Sequence, residues 1–98
     1  MKIRHGDVLI EKIDAMPNDA TVIRGRNWLA LGEVTGHAHR VDIVDGIFET
    51  KDGKLYLKAA KQIKLTHEEH KCIVLNHGIY KVTIKRQYSP MGWERVVD

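Results

Sequence analysis

The sequence predicts an all-β domain, and two observations lead to that prediction. Turn-forming stretches recur every eight to twelve residues, and the short runs between them are rich in Val, Ile, Leu, Thr and Tyr. No stretch keeps the 3.6-residue apolar period of an amphipathic helix over about eleven residues. We therefore expect a small, mostly antiparallel barrel or sandwich, with a jelly-roll as one form of it. It should have at least about six strands and less than about fifteen per cent helix.

Ten strands are predicted from the spacing of these turns. In chain order they are 7–13, 21–24, 28–35, 37–44, 47–50, 55–59, 62–66, 72–76, 79–88 and 94–97. The strongest local signal is Asp52-Gly53, because Asp-Gly supplies the positive φ angles of a type I′ hairpin turn. Met16-Pro17 and Ser89-Pro90 should mark strand ends, since proline cannot donate a hydrogen bond to a sheet.

Alternation along two of these strands gives their side chains a direction. In 37–44, the two histidines share a face with Val41 and Ile43, which are clear core residues. The opposite face carries Ala38, Arg40, Asp42 and Val44. In 79–88, the apolar face carries Tyr80, Val82, Ile84, Arg86 and Tyr88. An arginine and two tyrosines on an apolar face indicate a cleft or the polar mouth of a barrel.

Length and composition indicate one globular domain, spanning residues 1–98. The chain is 43% hydrophobic and 30% charged, which excludes the composition of a disordered tail. A net charge of +3 is compatible with a nucleic acid or another phosphate-bearing partner. It does not require one, because acidic residues lie among the basic ones. A homo-oligomer is also compatible with this composition.

The expected location is the cytoplasm, with no membrane partner. Cys72 is the one cysteine, so no intrachain disulfide can form, as is usual in a reducing compartment. Apolar residues follow it at 73–75, so we expect its thiol to be buried and inert. No apolar run approaches the roughly 18 residues of a membrane span. The first residues, MKIRHGDVLIEKID, lack the pattern of a signal peptide.

Two close histidine pairs are the features that point to chemistry. His37 and His39 in GEVTGHAHR lie one residue apart, so on a strand both rings point the same way. His67 and His70 in THEEH would share a face if that segment formed a helical turn. We expect the two pairs to form one site, with all four histidines as ligands of a divalent transition metal, Zn, Fe, Mn or Ni. Glu68 or Glu69 could add an oxygen ligand.

A second hypothesis uses the same histidines without a metal. Histidine titrates near neutral pH, so His39 and His70 could act as general acid and base, with Glu69 as an additional base. Arg40, Lys71 and Arg86 would hold a phosphate, and Tyr80 or Tyr88 would donate a proton. This describes a nucleic-acid-binding or RNA-cleaving module.

The third hypothesis is a protein-interaction module with structural histidines. It takes precedence if the two pairs lie on opposite faces of the fold. Whether the protein is an enzyme is not decided by the sequence. His5 and His77 are expected to lie outside the site, because His5 is near a terminus and His77 lies in a turn.

Several motifs together resemble a family of small, mostly uncharacterised bacterial and phage-associated proteins. They are GDVLI, GEVTGHAHR, THEEH, HGIYKV and RQYSP, followed by RVVD at the end of the chain. The resemblance covers most of the chain, and it implies no established activity.

A partial resemblance to cupins rests on Gly32, His37 and His39, followed by Asp42 or Asp45 and then Gly46 or Gly53. It implies a jelly-roll barrel in which the histidines and the acid bind a metal. Gly78 matches the second cupin motif, but Lys81 stands where that motif has histidine. His67 or His70 would have to replace this ligand.

Overall fold

The computed structural model describes residues 2–31, 37–84, 87–89 and 92–94, with backbone alone at residue 31 and in the last two segments. Across these residues the chain forms twelve β-strands and no helix. The predicted all-β class, strand number and low helix content are confirmed. No helix in the described part of the chain is long and apolar enough to cross a membrane.

The strands are short and belong to antiparallel sheets. Their bounds are β1 Lys2–His5, β2 Val8–Ile13, β3 Thr21–Val22, β4 Trp28–Leu31, β5 Ala38–Val41, β6 Ile47–Glu49, β7 Leu55–Ala59, β8 Ile63–Thr66, β9 Ile73–Leu75, β10 Gly78–Ile84, β11 Gln87–Ser89 and β12 Gly92–Glu94.

Two sheets make up the sandwich-like body of the domain. One has six strands in the order β1-β2-β10-β7-β6-β3, and the other has four in the order β4-β5-β8-β9. Strands β11 and β12 form a separate two-stranded sheet. The sheets do not close into a barrel, so of the two predicted architectures the sandwich is the one formed.

Alternation of apolar and polar residues supplies the core. In β8, Ile63 and Leu65 are buried, whereas Lys64 and Thr66 are exposed. Both sheets contribute to one apolar cluster, with Val8, Ile10, Ile47, Leu55, Leu57, Ala59, Tyr80 and Val82 from the six-stranded sheet and Leu29, Ala30, Val41, Ile63, Leu65 and Leu75 from the other. This shared core fixes how the sheets face each other.

Four expectations need correction or completion. Strand β1 was not predicted, although it pairs with β2 along its whole length. The predicted strand 79–88 corresponds to β10 and β11, which belong to different sheets. The ends of the predicted strands 28–35 and 94–97 lie outside the described residues. Cys72 was expected to be buried but is exposed, because it lies before β9, whose buried position is Leu75.

The hairpin between β6 and β7 forms around Asp52-Gly53, but its turn differs from the type I′ prediction. Gly53 has a positive φ of 84°, whereas Asp52 is not among the described residues with positive φ. The N–H of Gly53 donates to the carbonyl of Thr50, and the N–H of Thr50 donates to the carbonyl of Lys54. This is a three-residue connection that ends on a left-handed glycine, the second commonest kind of hairpin.

A second hairpin, between β1 and β2, brings polar residues into the interior. His5 pairs with Val8, so the turn consists of Gly6 and Asp7. Gly6 has a φ of 64° and Asp7 has no positive φ, as a type II′ turn requires. Both residues that flank Gly6 are buried, at 3% exposure each.

Candidate functional site

The two histidine pairs meet because strands β5 and β8 are neighbours. Arg40 pairs with Thr66 in antiparallel register. The residue before Arg40, His39, therefore lies opposite the residue after Thr66, His67. The ring centroids of these two histidines are 4.4 Å apart. The prediction that GHAHR and HEEH lie together is therefore confirmed, and the cause is a strand register that the sequence does not reveal.

His70 reaches the same place from the connection between β8 and β9. Residues 68–70 form a bend and not the helical turn that was expected. The bend still brings the rings of His67 and His70 to a centroid separation of 4.5 Å. Each of His39, His67 and His70 offers one ring nitrogen such that all three atoms lie within 4.8 Å of one another.

His5, which was expected to lie elsewhere, is the fourth member of this cluster. Its ring centroid is 4.9 Å from that of His39, 5.5 Å from that of His70 and 6.3 Å from that of His67. The signal that could have located it is Gly6-Asp7, a two-residue hairpin turn sequence, directly before the apolar run 8–10. His77 is exposed. We call His5, His39, His67 and His70 the histidine cluster.

Hydrogen bonds fix the orientation of two of the rings. Nε2 of His5 lies 2.8 Å from the carbonyl oxygen of Lys71, so this nitrogen must carry a proton. In the neutral ring, Nδ1 of His5 then has a free lone pair. It is directed at Nδ1 of His39, and the two Nδ1 atoms are 2.8 Å apart. The other nitrogen of His39, Nε2, lies 3.2 Å from a carboxylate oxygen of Asp7.

The contact between His5 and His39 requires one proton, because their two Nδ1 atoms are 2.8 Å apart and one of them must donate to the other. Burial is the largest cause that lowers the pKa of His5, and this favours a neutral His5 ring. In that ring Nε2 donates to Lys71, so Nδ1 is the acceptor of the proton from His39.

His37 lies at the edge of the histidine cluster and not inside it. Its ring centroid is 5.5 Å from that of His67, and its Nδ1 is 3.5 Å from a carboxylate oxygen of Glu69. It belongs to a second set of neighbouring ligand atoms, together with His67 and Glu68. The structure thus separates the four predicted metal ligands into three that share one centre and one at its rim.

The two glutamates of HEEH bind the protein itself. Glu68 accepts hydrogen bonds from the N–H of Ala38 and from the guanidinium of Arg40, at 3.0 and 2.8 Å. These donors lower the pKa of Glu68 to about 2. The backbone N–H of Glu69 donates to Nδ1 of His67. Glu68 therefore holds the loop after β8 against β5.

The other candidate residues have separate positions. Tyr80 is fully buried in the core, where its hydroxyl donates to the carbonyl of Asn76. Arg86 lies outside the described residues, and of Tyr88 only the backbone is described. Lys71 contributes its backbone carbonyl to the site, as the acceptor for His5. Asp7, which contacts His39, was not predicted at all.

The acidic residues of the cupin-like pattern are directed elsewhere. Asp42 is exposed and accepts the backbone N–H of Lys64. Asp45 is exposed, accepts the N–H of Gly25 and lies 3.9 Å from Arg24. The resemblance to cupins is not confirmed.

Comparisons with known proteins identify the family without supplying a function. Residues 4–85 match the model of a domain of unknown function, DUF8820. The chain belongs to this family. No curated protein and no solved structure matches the chain. The matched range of this chain includes all four residues of the histidine cluster.

Proposed function

We propose that this DUF8820 domain binds a divalent transition metal ion through His39, His67 and His70. The observation that carries the proposal is the convergence of one ring nitrogen from each residue within 4.8 Å. Nitrogen ligands at 2.0–2.1 Å from a tetrahedral Zn²⁺ stand about 3.3 Å apart. The separations between the three nitrogens would therefore shorten by at most about 1.5 Å when an ion enters.

The surroundings of His39 support this proposal. Metal-binding histidines usually donate their second ring N–H to a carboxylate or a carbonyl, which orients the ring toward the ion. Asp7 is placed for this role, with a carboxylate oxygen 3.2 Å from Nε2 of His39. An ion bound at Nδ1 of His39 would also replace the proton that His39 and His5 now share, and it would supply the positive charge opposite Asp7.

A hydrogen bond of His67 makes metal binding less favourable. Its Nδ1 accepts the N–H of Glu69, so in the neutral ring the proton is on the buried Nε2. Binding through Nε2 requires the proton to move to Nδ1, with loss of a hydrogen bond worth about 1 kcal/mol. Structural zinc sites supply about 10–16 kcal/mol at pH 7, so this cost does not prevent binding.

The donor set favours particular metals. Imidazole nitrogen suits Zn, Cu, Fe and Ni, whereas Mn prefers carboxylate and other oxygen ligands. Glu68 is exposed and bonded to Ala38 and Arg40, and Glu69 is exposed beside His37. We therefore propose Zn²⁺ as the first ion to test, then Fe²⁺ and Ni²⁺, with Mn²⁺ as the weakest binder.

The metal-independent phosphate hypothesis receives less support. Arg40 is paired with Glu68, and a bound anion would have to compete with that carboxylate. The interaction-module hypothesis would have taken precedence if the two histidine pairs lay on opposite faces, but His39 and His67 are neighbours in one cluster.

Zinc titration by isothermal calorimetry tests the proposal on untagged protein. We expect one Zn²⁺ per chain, and His39→Ala, His67→Ala or His70→Ala should each weaken binding by more than about tenfold through loss of a ligand. His77→Ala is the matched control, because His77 is exposed and lies outside the cluster. Absence of binding of Zn²⁺, Fe²⁺, Ni²⁺ and Mn²⁺ to the folded wild-type protein would refute the proposal.

A further inference from the structure

His5 comes from a different sheet than the other members of the histidine cluster. His39 lies on β5, and His67 and His70 follow β8, and both strands belong to the four-stranded sheet. His5 ends β1, the edge strand of the six-stranded sheet. The cluster is therefore a point at which side chains from the two sheets meet around a common centre.

The His5 ring is oriented as a ligand would be. Its Nε2–H donates to the carbonyl of Lys71, and this leaves the Nδ1 lone pair directed at the cluster. A backbone carbonyl is one of the usual outer partners of a metal-binding histidine. His5 is 3% exposed, so its ring is held in this orientation by its surroundings.

The ring centroids of all four histidines are spaced as they would be around a single ion, whereas the nitrogens that already lie within 4.8 Å of one another are those of His39, His67 and His70. Rings that bind one ion through nitrogens at 2.0–2.1 Å in tetrahedral geometry have centroids roughly 5 Å apart. The six centroid separations within the histidine cluster range from 4.4 to 6.3 Å. Nδ1 of His5 and Nδ1 of His39 are now 2.8 Å apart. They would separate by about half an ångström to stand on either side of an ion.

We infer that His5 is the fourth ligand, so that the ion has a closed shell of four imidazole nitrogens and joins the two sheets. This inference rests on the proposed metal binding at His39, His67 and His70. A closed shell is the property that separates structural zinc sites from catalytic ones, which keep a position open for water. The bound ion thus stabilises the sandwich by tying the β1–β2 hairpin to the second sheet.

Nuclear magnetic resonance of the protein loaded with ¹¹³Cd²⁺ tests the inference on the wild-type chain. Cadmium takes the place of zinc, and scalar coupling between ¹¹³Cd and ring ¹⁵N identifies each bound nitrogen. We expect four coupled histidines, with His5 coupled through Nδ1. Coupling to three histidines without His5 would overturn the inference and leave the proposed function intact. No coupling to any histidine would contradict both.

A variant series gives an independent measurement. Replacement of His5 by glutamine or alanine should reduce Zn²⁺ affinity by more than about tenfold and weaken the Co²⁺ d–d absorption bands, because loss of a nitrogen opens the shell to water. His77→Ala should leave both unchanged. If a folded His5→Gln protein binds Zn²⁺ as tightly as wild type and gives the same Co²⁺ spectrum, His5 is not a ligand. The cadmium experiment decides the question if neither His5 variant folds.

Discussion

The carboxylate of Asp7 lies 3.2 Å from Nε2 of His39, and both side chains are almost completely buried. A buried carboxylate is costly unless a positive charge or hydrogen-bond donors compensate for it. A metal ion bound to His39 would place a positive charge close to this carboxylate.

Asp7→Asn tests the role of the carboxylate. The amide oxygen can still accept from Nε2 of His39, but the negative charge opposite the ion is lost, so Zn²⁺ affinity should fall about 10- to 100-fold. Calorimetric titration measures this change. Asp14→Asn is the control, because Asp14 is an exposed aspartate just after β2. Equal Zn²⁺ affinity in Asp7→Asn and wild type would show that Asp7 does not support the ligand.

Two hairpins of the six-stranded sheet show how short turns position longer elements. The β1–β2 turn places His5 and Asp7 on either side of Gly6, and so directs both into the site. The β6–β7 turn positions two core strands and depends on Gly53 at φ 84°.

The four-stranded sheet has a register shift in β4, between Trp28 and Ala30, opposite His39 and Arg40. Such irregularities often re-aim side chains beside functional sites.

Gly53→Ala should destabilise the fold. No atom lies within 4 Å of the added Cβ, so the effect comes from the backbone conformation and not from a clash. A non-glycine residue in the left-handed region costs about 1–2 kcal/mol. We expect a loss of that size in the free energy of unfolding, measured by urea denaturation at equilibrium. Lys51→Ala in the same turn is the control, and an equal loss there would argue against the conformational explanation.

The molecule as a whole is a small sandwich whose two sheets share one apolar core and one polar cluster. A chain of this length buries a modest surface, so its stability is marginal and an additional link between the sheets has a large relative effect. The histidine cluster is located where such a link would act. Metal binding and folding stability should therefore be coupled in this protein.

Added Zn²⁺ should raise the melting temperature. An ion that binds only the folded state stabilises it by about 2.7 kcal/mol at 100 times its Kd, which corresponds to an increase of roughly 10 °C or more for a domain of this size. EDTA should reverse the increase. The increase should also diminish as the pH falls, because protons compete with the ion for the imidazole nitrogens. A melting temperature unaffected by Zn²⁺ and by EDTA at neutral pH would contradict this coupling.

The sequence by itself determined the fold class and most strand positions, and it predicted that GHAHR and HEEH lie together. These conclusions follow from local properties, namely the spacing of turns, the alternation of apolar residues and the proximity of histidines along the chain. Only the tertiary structure decided that His5 and Asp7 join the site, that His37 stays at its rim, and that Glu68 binds Arg40. Each of these depends on which strands pair and in what register. Pairing and register are set by the packing of both sheets around a common core, to which residues far apart in the sequence contribute together.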